Sequence, residues 1–182
     1  MSELADLTAV DLLTLYRDKA VSPVDVVGAV LARIAALEPV LNATWALDPE
    51  GAMAEARASE ARWLRGNPAG PLDGVPVTIK ELIATRGVAK PLGSAATELR
   101  PEPADAPPAA RLREAGAVIL GKTTSPDFGM LSSGLSSFHK LSRNPWDVSK
   151  TPGGSSAGAG TAAAAGYGPL HLGTDIGGSI RL

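Results

Sequence analysis

The segment Gly74-Val75-Pro76-Val77-Thr78-Ile79-Lys80-Glu81 places a short apolar run between a glycine and two charged residues. A second run, Ala117-Val118-Ile119-Leu120, follows further along the chain, and a helical pattern over about residues 109–115 lies between the two. Short apolar runs bounded by glycine and proline are typical of buried strands. Strands that alternate with helices predict an α/β fold, in which helices cover a β-sheet.

The first 70 residues carry the signals of a mainly helical segment. Residues that favour helix starts stand at three points: Thr8 with its capping-box partner Asp11, Ser22-Pro23, and Asp48-Pro49. The second helix is predicted to end near Leu37 and the third near Leu64, with a brief strand possible over residues 42–47. We therefore expect a helical segment, residues 1–70, that packs on a core formed by residues 71–182.

The composition argues against several classes of protein. The 182 residues include 17 Lys+Arg and 19 Asp+Glu, and a net charge of -2 gives no basis for binding nucleic acid directly. The lack of cysteine excludes disulfides and thiolate zinc sites, and two histidines without a His-Glu-x-x-His pattern argue against another metal site. We predict no metal and no cofactor. An acidic N-terminus and the absence of a long apolar stretch favour a soluble cytoplasmic protein without a membrane partner.

One motif match is rejected on its context. Residues 116–123 fit the phosphate-binding pattern G-x-x-x-x-G-K-[ST]. In that motif the four residues between the glycines form a loop, whereas here they are the predicted strand from Ala117 to Leu120. We therefore do not predict nucleotide binding, and we expect Lys122 to be structural or solvated.

Two glycine- and serine-rich motifs occupy the C-terminal part of the chain. They are Thr151-Pro152-Gly153-Gly154-Ser155-Ser156-Ala157-Gly158 and Gly173-Thr174-Asp175-Ile176-Gly177-Gly178-Ser179-Ile180-Arg181. This composition also occurs in flexible linkers, but the alanines over residues 157–165 favour a tightly packed helix. Together with Lys80 at the end of a predicted strand, the two motifs resemble those of the amidase signature family of Ser-Ser-Lys hydrolases.

The resemblance covers residues 72–182 and implies the amidase signature fold, of which this chain holds the N-terminal portion of the mixed β-sheet core. It implies three catalytic residues: Ser179 as the nucleophile, Ser155 as a proton relay and neutral Lys80 as the base. It further implies a cis peptide between Gly154 and Ser155. By the same resemblance Gly129, Met130 and Leu131 line the acyl pocket, although a core role is the alternative for these residues.

The chemistry of amide cleavage agrees with these assignments. A lysine acts as a base only when it is neutral, and burial at the end of an apolar strand lowers its pKa. Glycines allow consecutive amides to converge, so we expect the oxyanion hole to be formed by the backbone N–H groups of Ile176, Gly177, Gly178 and Ser179. Supporting structural roles are expected for Ser156, Thr174, Asp175 and Arg181. Neither His139 nor His171 has the sequence context of a Ser-His-Asp triad.

Three functions remain open at this stage. The first is an amidase that hydrolyses a small-molecule carboxylic amide through an acyl-enzyme on Ser179. The second is the amidase-type subunit of a tRNA-dependent amidotransferase, which releases ammonia from glutamine. That subunit more often has threonine where this chain has Ile176, which favours the first function. The third is an inactive fragment with a structural or binding role.

The end of the chain shortly after Ser179 bears on all three functions. Members of the family are usually much longer and continue well past the nucleophile. We therefore expect a truncated domain that depends on a missing C-terminal part, or on another chain, to complete its fold. A homo-oligomer is also possible.

Overall fold

The computed structural model describes residues 3–182, which form an α/β structure. The helices are α1 (Ala9–Arg17), α2 (Pro23–Leu41), α3 (Pro49–Leu64), α4 (Pro107–Glu114) and α5 (Ala157–Ala165), with 3-10 turns at Glu3–Asp6 and Asp127–Gly129. The strands are β1 (Thr44–Trp45), β2 (Pro76–Lys80), β3 (Val118–Thr123) and β4 (Leu170–Leu172). They form one sheet in the order β1-β3-β2-β4. Strands β3, β2 and β4 are parallel and β1 is antiparallel to β3, so the sheet is mixed.

The helix starts agree with the sequence signals. The Oγ1 of Thr8 accepts from the Asp11 N–H at 3.2 Å, and the Asp11 carboxylate accepts from the Thr8 N–H at 3.3 Å, which confirms the capping box. The sequence predicts an end of α2 near Leu37, but the helix continues to Leu41, with Pro39 inside it. Because Leu41 is buried, packing of the apolar stripe outweighs the hydrogen bond that proline cannot make.

The main hydrophobic core lies between the first two long helices and the sheet. Its buried members include Val27, Val30 and Ile34 of α2, Ala52 and Ala56 of α3, Val118 and Leu120 of β3, and Ala162 and Tyr167 at the C-terminal end. Residues 3–70 therefore contact the later part of the chain through α2 and α3. They also contribute β1 to the edge of the sheet.

The small residues of α5 allow this helix to approach the sheet closely. A side-chain carbon added at Gly158 would overlap the carbonyl oxygen of Ala43 and the amide of Thr124. The Gly158 N–H donates to the Thr124 carbonyl at 3.0 Å, directly after the end of β3. This contact brings Ser155 and Ser156, which precede α5, to the edge of the sheet where β2 ends at Lys80.

Lys122 has a structural role in β3. Its side chain is buried and its Nζ donates to the Ile83 carbonyl and to the Thr85 Oγ1. The residues before it, from Val118, are part of the strand, so no phosphate-binding loop precedes the lysine. The rejection of the nucleotide-binding motif agrees with this geometry. Separately, none of the helices over residues 3–182 has both the length and the apolar character needed to cross a lipid bilayer.

Candidate active site

Lys80, Ser155 and Ser179 form a continuous line of polar atoms at the carboxyl end of β2. The Nζ of Lys80 donates to the Oγ of Ser155 at 2.8 Å. The Oγ of Ser155 in turn donates to the Oγ of Ser179 at 3.0 Å. Each residue comes from a different part of the fold, since Lys80 ends β2, Ser155 precedes α5 and Ser179 follows β4. The peptide between Gly154 and Ser155 is cis.

The surroundings of Lys80 are polar and closed to solvent. The residue has 0% exposure, and its Nζ also donates to the Oγ1 of Thr174 at 2.7 Å and the Oγ of Ser156 at 3.2 Å. Burial lowers the pKa of Lys80 to about 8, against the opposing effect of the negative charge on Glu81. A substantial fraction of this lysine is therefore neutral slightly above neutral pH.

Ser156 and Thr174 join the two glycine-rich motifs. The Oγ of Ser156 donates to the Thr174 carbonyl at 2.9 Å and accepts from the Thr174 N–H at 3.1 Å. The Ser156 N–H donates to the Ser179 carbonyl at 3.2 Å. These contacts hold the loop after β4 against the start of α5, and so keep Ser179 close to Ser155.

Asp175 and Arg181 brace the loop that carries Ser179. The carboxylate accepts from the Arg181 Nε at 2.8 Å and from its Nη2 at 2.9 Å. The hydrogen bond from Arg181, with a further one from the Gly178 N–H at 2.7 Å, lowers the pKa of Asp175 to about 2. The carboxylate is therefore ionised throughout the physiological range and serves as a fixed acceptor.

The same contact changes the expected set of oxyanion donors. The sequence predicts four amide donors for the oxyanion hole, but the Gly178 N–H donates to the carboxylate of Asp175. No acceptor among residues 3–182 takes the amide hydrogens of Ile176, Gly177 and Ser179. Three amides of this loop thus have no hydrogen-bond acceptor in the described part of the chain, and their role as oxyanion donors stays a prediction.

The predicted acyl-pocket residues lie beside Ser155 or on the surface next to it. Gly129 has a φ of 67°, and a side-chain carbon added there would lie 3.4 Å from the Ser155 Oγ and 2.8 Å from the Leu82 Cδ1. Met130 is 80% exposed and Leu131 is 46% exposed. Met130 and Leu131 therefore do not belong to the hydrophobic core, which was the alternative role for them.

The two histidines make their contacts away from the serines. His171 lies between the Thr78 Oγ1, 2.8 Å from its Nδ1, and the Gly168 carbonyl, 3.0 Å from its Nε2. Burial lowers the pKa of His171 to about 4. The side chain of His139 is 5% exposed, and its Nε2 lies 3.7 Å from the Oε1 of Glu81. Within residues 3–182 no hydrogen bond joins either histidine to Ser155 or Ser179.

Sequence reasoning gave no role to Glu81 and Ser125, which form a second buried polar cluster next to Lys80. Glu81 has 0% exposure, and its carboxylate accepts from the Ser125 Oγ and from the Leu92 N–H. The available signal was a charged residue directly after a strand that is apolar up to Lys80. Ser125 carried no signal, because only the parallel pairing of β2 with β3 brings it to Glu81.

Comparison with known proteins identifies the family. Residues 25–182 match the model of the Amidase family. The chain therefore belongs to the amidase signature family, and the fold expected from the resemblance is confirmed.

The relatives and the solved structures agree on the family. The chain is 45% identical over 181 residues to a glutamyl-tRNA(Gln) amidotransferase subunit of Acidothermus cellulolyticus, covering 100% of this chain and 36% of that protein. It is 34% identical, with a TM-score of 0.87, to the peptide amidase from Stenotrophomonas maltophilia, covering 96% of this chain and 37% of that one. A structure of a vestigial protein complex, described as revealing the origins of an s-triazine catabolic enzyme, gives 37% identity and a TM-score of 0.91, covering 96% and 38%. The chain thus spans just over a third of the length of these proteins.

Proposed function

We propose that this chain carries the nucleophile, the relay and the base of an amidase that cleaves a carboxylic amide. The observation that supports this most strongly is the unbroken line from buried Lys80 through Ser155 to Ser179, with contacts of 2.8 Å and 3.0 Å. A serine hydroxyl is a weak nucleophile unless a nearby base removes its proton. Here the only route from Ser179 to an amine among the described residues runs through Ser155.

The first half of the reaction forms the acyl-enzyme. When Lys80 is neutral, the contacts reverse their direction: Ser155 donates its proton to Lys80 and receives the proton of Ser179. The Ser179 Oγ then bonds to the carbonyl carbon of the amide, and the carbonyl oxygen of the substrate gains negative charge. The free amides of Ile176, Gly177 and Ser179 would stabilise that charge, and one such donor is worth about 10²–10³ in rate.

The second half returns the protons and releases the acid. The protonated Lys80 gives a proton back through Ser155 to the leaving nitrogen, and the C–N bond breaks. Water then attacks the acyl carbon while the same relay accepts its proton. The bond between the Ser179 Oγ and the acyl carbon breaks, the relay returns the proton to that oxygen, and the carboxylic acid leaves. This cycle uses one amide and one water and needs no other reagent, since protons only move along the relay.

A second candidate is the glutamine-hydrolysing subunit of a tRNA-dependent amidotransferase. It is favoured by the 45% identity to a glutamyl-tRNA(Gln) amidotransferase subunit over the whole chain. In that case the amide is glutamine and the product ammonia passes to a partner subunit. Ile176 in the nucleophile loop, where threonine is more frequent in such subunits, leads us to keep the free amidase first. Glutaminase activity that requires a co-purifying second subunit would reverse this order.

We further propose that additional polypeptide, from the same or another chain, covers the site. Large apolar side chains of the segments around it are exposed: Met130, Ile176, Ile180 and Leu182. A group of this kind on the surface marks an interaction site. It is consistent with a chain that spans 36% of its curated relative, in which the remaining sequence is available to pack here.

The test is labelling with a fluorophosphonate probe followed by peptide mapping. It is run on the 182-residue chain alone and together with the C-terminal part of the Acidothermus relative. We expect modification at Ser179, lost in Ser179→Ala and in Lys80→Ala. Exposed residues provide matched controls, and Ser149→Ala and Lys150→Ala should label normally. A folded protein that stays unlabelled in both settings would contradict the amidase and favour a structural or binding role.

A further inference from the structure

Glu81 is a buried carboxylate that the proposed relay does not use. Its Oε2 accepts from the Leu92 N–H at 3.1 Å, and its Oε1 accepts from the Ser125 Oγ. The Nε2 of His139 lies 3.7 Å from the same Oε1, and among the described residues it has no hydrogen-bond partner although it is buried. A carboxylate is costly to bury unless such donors surround it. Glu81 therefore joins the end of β2, the exit of β3 and the loop at Leu92.

The loop at Leu92 transmits this attachment to the turn beside Ser155. Leu92 has a φ of 55° and Phe128 has a φ of 49°, both in the left-handed region that non-glycine residues rarely adopt. The Phe128 N–H donates to the Leu92 carbonyl at 2.6 Å. The turn Asp127–Gly129 that contains Phe128 ends at Gly129, which lies against the Ser155 Oγ. Strained residues of this kind persist only where their surroundings hold them, and they concentrate at functional sites.

Glu81 also faces three side chains that can carry a positive charge. They are Lys80, which precedes it, Lys122 on β3 and His139 on the loop that packs over it. The negative charge of Glu81 raises the pKa values of both lysines, while burial lowers them more strongly. Helix α5, which packs on the other side of Lys80, contributes no charged residue.

We propose that Glu81 is a positioning residue of the active site, which fixes the Phe128–Gly129 turn against Ser155 through Leu92 and keeps a negative charge next to Lys80. The inference rests on the proposed amidase function and adds to it. In this view the buried cluster of Glu81, Ser125 and His139 sets the wall of the acyl pocket. It does so without contacting the substrate.

The test compares Glu81→Gln with Glu81→Ala and uses amide hydrogen exchange as its first measurement. Glutamine keeps the geometry, because its oxygen accepts from Leu92 and its NH₂ donates to the Ser125 Oγ. In Glu81→Ala we expect the amides of Leu92 and Phe128 to exchange about tenfold faster than in the unchanged protein, because roughly one buried hydrogen bond is lost. In Glu81→Gln we expect both exchange rates to stay within about threefold of those of the unchanged protein. Exposed Glu98 provides the control, and Glu98→Ala should change neither amide.

The second measurement is the rate of Ser179 labelling as a function of pH. Glu81→Gln should keep the maximal rate and move the midpoint to lower pH, because the charge that raised the pKa of Lys80 is gone. Glu81→Ala should lower the maximal rate about tenfold as well, since the turn is no longer held. A residue with only a structural role would not separate the midpoint from the maximal rate in this way.

Three outcomes decide the proposal. Unchanged exchange at Phe128 in Glu81→Ala would overturn it. If Glu81→Ala does not fold, Ser125→Ala removes one donor to the same carboxylate: faster exchange confined to Leu92 and Phe128 supports the proposal, and a uniform increase over the core overturns it. If Ser179 of the unchanged protein does not label, the amidase function fails, and the exchange data still decide whether Glu81 positions the turn.

Discussion

At the scale of the residue, burial is what turns ordinary side chains into reactive or structural groups. A lysine at the end of a strand is usually solvated, but Lys80 is enclosed by three hydroxyl groups and has 0% exposure. Its pKa falls to about 8 because the charged form loses hydration. The same cause acts on His171, whose pKa falls to about 4.

The titration of Lys80 predicts the pH dependence of the site. The neutral amine is the base, and it predominates above the pKa, so the rate of Ser179 labelling should rise as pH increases through about 8 and then level off. Labelling reactions stopped at fixed times between pH 6 and pH 10 measure the pH at which the labelling rate is half its maximum. Lys80→Arg should be inactive across this range, since a guanidinium stays protonated. A midpoint at about 10.4, the ordinary value for lysine, would contradict the role of burial.

The lowered pKa of His171 predicts that the folded protein loses stability in mild acid. Its Nε2–H donates to the Gly168 carbonyl, so its neutral Nδ1 accepts from Thr78. Between about pH 6.5 and 4 the unfolded chain binds a proton that the folded chain does not, and stability falls as pH falls, by about 2 kcal/mol from pH 7 to pH 5.

Urea unfolding at pH 7 and pH 5 measures this effect. His171→Gln can keep both hydrogen bonds without titrating, so its free energy of unfolding should lose less between the two pH values than that of the unchanged protein. Equal losses in the two proteins would show that His171 titrates normally in the fold.

At the scale of the element, α5 depends on glycine at one position and not at another. Both Gly158 and Gly160 lie inside this helix, where glycine is less favourable than alanine. Gly158 faces the backbone of Ala43 and Thr124 with no room for a side chain, whereas nothing lies within 4 Å of a carbon added at Gly160. One helix therefore contains a packing glycine and its own control.

Alanine substitutions at these two positions should have opposite signs. Gly158→Ala forces α5 away from the sheet and should lower the free energy of unfolding by at least about 1–3 kcal/mol. Gly160→Ala should raise it by about 0.5–1 kcal/mol, through helix propensity alone. Chemical denaturation of both variants checks this, and equal effects at the two positions would contradict the close approach of α5. We also expect Gly158→Ala to slow Ser179 labelling, because Ser155 precedes this helix.

At the scale of the whole molecule, a partly buried ion pair holds the helical segment to the sheet. Asp73 stands just before β2, and its carboxylate accepts from the Arg62 Nε at 2.9 Å, from the Arg62 Nη2 at 2.6 Å and from the Ala69 N–H at 2.8 Å. Burial by itself would raise the pKa of Asp73, but the hydrogen bonds from Arg62 and Ala69 together hold it below the usual value. The pair thus joins α3 to the strand that ends at Lys80.

Removing the charge of Asp73 should therefore destabilise the whole protein. Asp73→Asn leaves Arg62 without its partner and should lower the free energy of unfolding by about 3 kcal/mol. The exposed pair of Arg17 and Asp18 is the control, and Asp18→Asn should have a much smaller effect than Asp73→Asn. The Asp73 contribution is present above about pH 4 and is lost as pH falls through its lowered pKa. A loss below about 1 kcal/mol for Asp73→Asn at pH 7 would contradict a linking role.

Local structure followed from local sequence in this protein. The capping box at Thr8, the start of α3 after Asp48 and the span of α5 were predicted from neighbouring residues, because caps and helix propensity act within a few positions. The runs that became β2 and β3 were predicted from their apolar composition. The resemblance of the glycine-rich motifs to those of the amidase signature family also predicted that Lys80, Ser155 and Ser179 belong to one site.

Features that depend on distant parts of the chain needed the tertiary structure. Strand β4 is only three residues long and has no distinct pattern, so its pairing with β2 became evident only in the fold. The continuation of α2 through Pro39 likewise depends on the packing of Leu41. The sequence alone determined which residue types are available for chemistry and which segments carry them. Only the tertiary structure decided that Lys80 is dehydrated, that the Gly178 amide faces Asp175 and that Glu81 meets Ser125, because burial and hydrogen bonding arise when segments far apart in sequence are packed together.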